Sequence, residues 1–297
     1  MIWVTWRQHR AQAIACLAVF CTLAVFAIIV GTWMRATFNS DGIPACLARS
    51  GGAGCTADIT SFLNKFDHGF SQVISVPLLA IPGLLGIVVG APLLGAELER
   101  GTWRLAWTQT VPRTRWLAAK LGLVTGGLIV FGVVVTAVIS WFRAPLDQVT
   151  SRLQPGLSSP EGLTFTASLL CAFGLGVLAG LLLRNVIGAM VAAYIAWEVP
   201  TTLVVLLNGP IHIPPPVTTR IPCQAGCPGA SLASVPPVTG HLGDSVLSIT
   251  RSGGDLVVTY LPAGRFWTLQ FIQAGVFLAI AAAALGTAIW LLHKRTT

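Results

Sequence analysis

Charge is concentrated in one segment of the chain, Glu97–Lys120, which has the sequence ELERGTWRLAWTQTVPRTRWLAAK. It holds seven charged residues in 24, whereas Asp, Glu, Lys and Arg make up 9% of the whole chain. Trp103, Leu105 and Trp107 are mixed with polar residues at roughly helical spacing, and Pro112 breaks that pattern. A short amphipathic helix rimmed with both signs of charge is suited to docking a soluble partner. The alternative is a solvated basic linker, which the tryptophans and the acid pair count against.

Glu198 is a second candidate, because it is the only charged residue in the apolar run Val186–Leu207. A carboxylate inside a bilayer is costly and is a functional candidate by default. Two structural alternatives remain open. Glu198 could face a wet bundle interior, or it could cap the backbone that Pro200 frees two residues later.

Four of the seven cysteines lie in polar connecting segments. They are Cys46, Cys55, Cys223 and Cys227. In an oxidising space, four such cysteines indicate two disulfides. Three pairings are possible, of which the local pairs 46–55 and 223–227 are the simplest. A zinc site is the alternative, which the C-x3-C spacing without a nearby His pair supports only weakly. The other cysteines lie in apolar runs and are predicted to be packing residues: Cys16, Cys21 and Cys171.

Motifs for common enzyme chemistry are missing from the sequence. It contains no G-x-x-x-x-G-K-[ST] loop for ATP phosphates, no H-E-x-x-H zinc motif and no G-x-S-x-G nucleophile motif. The five histidines all lie outside the apolar runs, so no buried proton relay can be drawn. We therefore predict that the chain is not an enzyme and binds no metal or cofactor of its own.

The elements that must position these residues are apolar runs. Of 297 residues, 54% are hydrophobic, and the charged share is about a third of that in soluble domains. Six runs approach the roughly 20 apolar residues that a membrane-spanning helix needs. They are Ala11–Met34, Val73–Ala96, Leu121–Phe142, Leu163–Leu183, Val186–Leu207 and Phe266–Leu292. The sequence therefore predicts an all-α membrane protein in which residues 1–297 form a single transmembrane domain.

The distribution of charge predicts the orientation of this bundle. Six spans place both termini on one side. If that side is the cytoplasm, its short segments carry ten of the 18 Lys and Arg with two acids, and the longer outer segments carry eight with seven acids. This asymmetry follows the positive-inside rule, so we predict cytoplasmic termini in a cell membrane. The net charge of +8 is then a topology signal and gives no reason to expect nucleic acid as a partner.

The three predicted extracellular loops are 35–72, 143–162 and 208–265. The first and third carry the four loop cysteines, which predicts a small disulfide-bearing outer region. The third loop is Pro-rich in its first part and contains two β-prone stretches in its second part. Val246–Thr250 and Leu256–Tyr260 are β-prone and flank a glycine-rich turn, which predicts a hairpin.

Pairs of glycines four residues apart recur in three of the apolar runs. They are Gly86 and Gly90, Gly122 and Gly126, and Gly176 and Gly180. Such G-x-x-x-G pairs let helices approach closely in membranes, so we expect a tightly packed bundle.

Taken together, these features resemble a permease subunit of the type-2 ATP-binding-cassette transporter family. The loop between the second and third spans of that family commonly begins E-x-E-x-G-T and ends on a Lys at the next span. The matching residues here are Glu97, Glu99, Gly101, Thr102, Thr108, Val111, Arg113 and Lys120. The opening Ile2–Arg10 and the stretch Pro262–Gln270 resemble the corresponding parts of actinobacterial members.

The resemblance implies an exporter with six spans, whose cytoplasmic loop is a coupling helix that docks into a separate ATPase subunit. ATP and Mg²⁺ would be bound by that subunit, and a second permease copy, identical or related, would complete the translocation path. By resemblance, the docking residues are Glu97, Glu99, Arg100, Gly101, Thr102, Arg104 and Arg113.

Two other functions are compatible with the residues alone. A proton-coupled secondary transporter would use Glu198 and need no ATPase. A membrane scaffold or sensor that transports nothing would use the cysteine-bearing outer loops as its receiving surface.

Overall fold

Long helices make up most of the described chain. The computed structural model describes residues 2–50, 55–67, 72–99, 113–150, 162–208, 215–222, 244–252 and 255–294. Within these ranges lie the α-helices α1 (Ile2–Ser40), α2 (Ile43–Ser50), α3 (Thr56–Phe66), α4 (Gln72–Glu99), α5 (Arg113–Arg143), α6 (Gly162–Leu183), α7 (Val186–Asn208) and α8 (Phe266–Lys294). Single 3-10 turns lie at Leu146–Gln148 and Ala263–Arg265.

Each of the six apolar runs lies in one of the long helices. Five segments of the described chain are long and apolar enough to cross a membrane: Phe20–Ser40, Ala118–Arg143, Gly162–Leu183, Val186–Leu207 and Ala263–Lys294. In α4 the part of the apolar run whose side chains are described is Ala80–Ala96. These helices are those of a multi-pass membrane protein.

Helix α6 occupies the centre of the bundle and packs against α4, α5, α7 and α8. About 61% of its apolar stretch is buried, against 17–22% for the other four candidate spans. Its residues are apolar all round, as expected for a helix that neighbours surround. Leu169, Phe173 and Val177 are fully buried and form the main core with Leu93 and Leu94 of α4.

Helices α4 and α6 run parallel and touch along a seam of glycines. A Cβ atom on Gly90 would lie 2.4 Å from the Phe173 carbonyl oxygen, and one on Gly180 would lie 2.5 Å from that of Ala91. Gly86 and Gly176 are equally confined by the facing backbone. Two of the three predicted G-x-x-x-G pairs therefore pack against each other within the chain.

The two ends of the bundle differ in the elements that they carry. The loop end holds the C-terminus of α4, the N-terminus of α5 and the turn between α6 and α7. The sheet end holds the opposite termini of these helices and a three-stranded antiparallel sheet.

The sheet consists of β1 (Val217–Pro222), β2 (Ser245–Ser252) and β3 (Asp255–Leu261) in the order β1-β3-β2. Strands β2 and β3 form the hairpin that the sequence predicts. Strand β1 was not predicted, because it lies in the Pro-rich part of the loop and ends on a proline at the sheet edge. The all-α prediction thus holds for most of the described chain but omits this sheet.

Two polar contacts join the sheet to the start of α8. The Arg265 guanidinium donates to the Pro215 carbonyl oxygen, and the Asp244 carboxylate accepts from the Ala263 N–H at 2.9 Å. The residues that precede β1 and β2 are therefore both held against the turn that leads into α8.

Short helices also lie at the sheet end. Helix α1 continues past the predicted boundary at Met34 to Ser40, and α2 and α3 follow it. Phe62 and Phe66 of α3 pack against Phe38 in a buried cluster. Cys46 and Cys55 form a disulfide across this cluster, with Cα atoms 6.1 Å apart.

Candidate functional site

The charged segment of the sequence lies at the loop end, between α4 and α5. Four of its predicted docking residues, Arg100, Gly101, Thr102 and Arg104, lie outside the described residues. Glu97 and Arg113 lie on the flanking helices, but their side chains are also outside the description. Glu99 and Lys120 are therefore the two members of the segment whose contacts define its attachment to the bundle.

Glu99 ends α4 and reaches the first residue of α7. Its Oε2 atom accepts a hydrogen bond from the Val186 N–H at 3.1 Å. The first N–H groups of a helix have no partner within the helix, and the helix dipole favours a negative charge there. Glu99 supplies both an acceptor and a negative charge, so α7 begins against the end of α4.

The α6–α7 turn explains why Val186 is available to Glu99. Arg184 has a left-handed backbone with φ of 53°, which reverses the chain directly after α6. Asn185 then caps α7, because its Oδ1 accepts from the Gly188 N–H at 3.0 Å. Asn185 satisfies the third N–H of the helix and leaves that of Val186 to an acceptor from outside α7.

Gly95 allows α4 to come close enough for this contact. A Cβ atom on Gly95 would lie 3.4 Å from the Gly180 Cα and 3.6 Å from the Val186 Cγ2. Glu99 follows Gly95 by four residues and thus lies on the same face of α4, one turn further along. The glycine seam therefore places the carboxylate at the start of α7.

Lys120 attaches the other flank of the segment. Its side chain is 5% exposed, and its Nζ donates to the Leu93 carbonyl oxygen of α4 at 2.8 Å. A buried ammonium needs such a partner, because an unpaired charge away from water is strongly unfavourable. Both flanks of the segment, Glu99 and Lys120, are therefore fixed to the helix bundle.

Glu198 lies far from this site, about 18 Å along α7 from Val186 at 1.5 Å per residue. It is half-buried, and Tyr194, four residues earlier, lies on the same face of the helix. Tyr194 is itself 40% exposed, so the pair lies on the outward side of α7.

The cysteines that the structure describes lie at the sheet end or in the apolar helices. Cys46 and Cys55 form the disulfide described above, whereas Cys223 and Cys227 lie outside the described residues. Cys171 is buried in α6, Cys21 is exposed on α1, and the side chain of Cys16 is outside the description. Among the described residues there is no group of three or more His, Cys, Asp or Glu that could hold a metal ion.

A buried polar cluster near the sheet end was missed in the sequence. Gln270 of α8 accepts through Oε1 from the backbone N–H of Thr164 at 3.1 Å and is close to its hydroxyl at 2.8 Å. Gln273 lies 3.1 Å from the same hydroxyl. The signal available was two glutamines three residues apart, hence on one helical face, in the apolar run Phe266–Leu292.

A known protein family matches most of the chain that forms this architecture. The family model described as ABC-2 membrane transporter related matches residues 17–207, which include α4, the charged segment and the α6–α7 turn. The curated proteins and the solved structures yield no match. Since the family model covers well over half of the chain, the protein belongs to the ABC-2 membrane transporter related family.

Proposed function

We propose that the chain is the membrane-spanning permease subunit of an ATP-driven exporter. In this proposal six helices cross the cell membrane, with α4 as the second, and both termini are cytoplasmic. The segment Glu97–Lys120 is a coupling helix that docks onto a separate ATPase subunit. That subunit would hold ATP and Mg²⁺, because this sequence has no phosphate-binding loop.

The attachment of both flanks of the segment to the bundle carries this proposal. Lys120 is buried against the Leu93 carbonyl oxygen, and Glu99 bonds to the start of α7. A solvated linker that only enforced topology would need neither contact. A push on the segment would reach α4, α5 and α7 directly, which is what coupling to an external ATPase requires.

A second permease copy completes the proposed translocation path along α7. Its outward side exposes large apolar residues, among them Ile187 at 76% and Val199 at 67%, next to the Glu198 carboxylate. Charged side chains within membrane helices face protein or a water-filled cavity, because lipid cannot solvate them. This face therefore suits a path between two copies better than it suits lipid.

Co-purification from native membranes tests the proposal. We expect affinity capture of the tagged chain to bring down an ATPase subunit that has no membrane spans of its own. Replacing Arg100 and Arg104 with Ala should reduce the amount recovered, because truncating a desolvated interface charge costs about 2–5 kcal/mol. Arg220→Ala is the matched control, since it removes an exposed arginine at the sheet end.

The same preparation separates the other two functions. A scaffold would recover no ATPase with the wild-type chain and would show no nucleotide hydrolysis. A secondary transporter would move substrate in liposomes under a proton gradient without ATP, and Glu198→Gln would abolish that transport. Either result would contradict the exporter proposal.

A further inference from the structure

We propose that Glu99 is a positioning residue that transmits the movement of the coupling segment to α7, an inference that rests on the proposed function. In this role Glu99 acts through the hydrogen bond from the Val186 N–H to its Oε2 atom. The resemblance implies instead that Glu99 contacts the ATPase. The geometry directs this carboxylate toward the chain's own helix.

The Glu99–Val186 contact can transmit movement because it joins two different helices, α4 and α7. Asn185 also caps α7, but it belongs to the turn and moves with that helix. Glu99 is the last residue of α4 and lies within the coupling segment Glu97–Lys120. A displacement of the segment therefore changes the distance between Glu99 and Val186, whereas the Asn185 cap is unaffected.

The packing around α7 allows this helix to move when the coupling segment moves. Helix α6 packs against four other helices and is the most buried of the candidate spans, so it cannot tilt without disturbing the core. Helix α7 packs against α4 and α6, makes a smaller contact with α8, and exposes Val191, Ile195 and Val199 on its outward side. Pulling or releasing its first residue would tilt the helix and shift this outward side, which also carries Glu198.

Proline at position 186 tests the contact without removing the carboxylate. Val186 is the first residue of α7, a position where proline is well tolerated because that N–H has no partner within the helix. Val186→Pro deletes the donor to Glu99, and Val186→Ala is the matched control that keeps it. Glu99→Ala deletes the acceptor, and Glu99→Gln keeps an acceptor oxygen without the charge.

The measurement uses the full chain in complex with its co-purified ATPase subunit in nanodiscs. Hydrogen–deuterium exchange is followed at the amides of residues 188–208, with and without ATP and vanadate, so that the N–H removed by Val186→Pro is not part of the readout. In the wild type and in Val186→Ala we expect a nucleotide-dependent change at the start of α7. Val186→Pro and Glu99→Ala should lose most of that change, on the order of tenfold, since couplings between sites commonly span about 5–150-fold.

The ATPase readouts distinguish the possible outcomes. We expect recovery of the ATPase and its basal hydrolysis to be unchanged in Val186→Pro, which lies outside the docking segment. The double variant should be no worse than either single one, and Glu99→Gln should retain part of the response. Loss of ATPase recovery in Glu99→Ala with a normal response in Val186→Pro would overturn the inference and leave the proposed function intact. Failure of the wild-type chain to recover any ATPase would overturn both.

Discussion

At the scale of single residues, the hydroxyl of Thr164 has one proton but lies within reach of two glutamine oxygens, those of Gln270 and Gln273. One hydroxyl cannot donate to both. The backbone N–H of Thr164 fixes the orientation of Gln270, because that N–H needs an acceptor. The consistent arrangement turns the Gln273 amide so that its NH2 donates to the Thr164 hydroxyl, which in turn donates to Gln270.

This network predicts unequal roles for the two glutamines. We expect Gln270→Leu to lower the free energy of unfolding by about 1–2 kcal/mol, because it orphans the N–H at the start of α6. Gln273→Leu, the matched control, leaves that N–H paired and should cost less. Thermal unfolding of the purified variants in detergent measures both, and a larger loss for Gln273→Leu would contradict the arrangement.

Composition cannot predict such contacts. The apolar run Phe266–Leu292 predicts a helix whatever the glutamines do, and only packing against α6 shows that they face inward. The same is true of Glu99 and Lys120. Their positions in the segment mark them as charged residues at the ends of helices, but their partners, Val186 and the Leu93 carbonyl, come from elements distant in the chain.

At the scale of elements, the seam between α4 and α6 depends on backbone contact. We expect Gly90→Ala to reduce the yield of folded protein and to cost about 1–3 kcal/mol of stability, because the added methyl would lie 2.4 Å from a backbone oxygen that cannot rotate away. Gly126→Ala is the matched control, since nothing lies within 4 Å of its position. It should be neutral or slightly stabilising, because Ala favours helices.

Size-exclusion profiles and thermal unfolding compare these two variants. Equal effects at positions 90 and 126 would show that the seam tolerates a methyl group and would contradict the close packing. The sequence alone presents the G-x-x-x-G pairs as equivalent. Their different surroundings follow from the neighbours that each helix finds in the bundle, which a local pattern does not specify.

The disulfide between Cys46 and Cys55 should stabilise the short helices of the sheet end. It closes a loop with a sequence separation of nine residues, for which the chain-entropy estimate is about 2.6 kcal/mol. We therefore expect Cys46→Ser, or treatment with a reductant, to lower the unfolding temperature. It should also open the cluster of Phe38, Phe62 and Phe66 to limited proteolysis, whereas Cys21→Ser should change neither measurement.

The long helices could be predicted from sequence because an apolar run of membrane length has few alternatives to a helix. The hairpin of β2 and β3 could also be predicted, since its β-prone arms flank a glycine-rich turn. Strand β1 could not, because its pairing partner β3 lies more than 30 residues later in the chain. Helices α2 and α3 likewise owe their packing to the aromatic cluster and to a covalent bond.

At the scale of the whole molecule, two outward apolar sides differ in charge. Helix α5 exposes Val130 and Val133 among other apolar residues, whereas α7 exposes Val199 next to the half-buried Glu198. Lipid can cover the first side at no electrostatic cost. The second carries a carboxylate and is better covered by protein or by a water-filled path. The two copies of the proposed dimer should therefore meet along α7.

Cross-linking in membranes tests this arrangement of the dimer. We expect Val199→Cys to give a covalent dimer with a short bis-maleimide, because the two α7 helices would face each other across the path. Val130→Cys is the matched control, since Val130 is similarly exposed, at 65% against 67%, but lies on α5. Both are compared with the chain without an added cysteine, which accounts for the native thiols. A covalent dimer from position 130 and none from position 199 would place the interface on α5, and Glu198 would then need a partner other than a second copy.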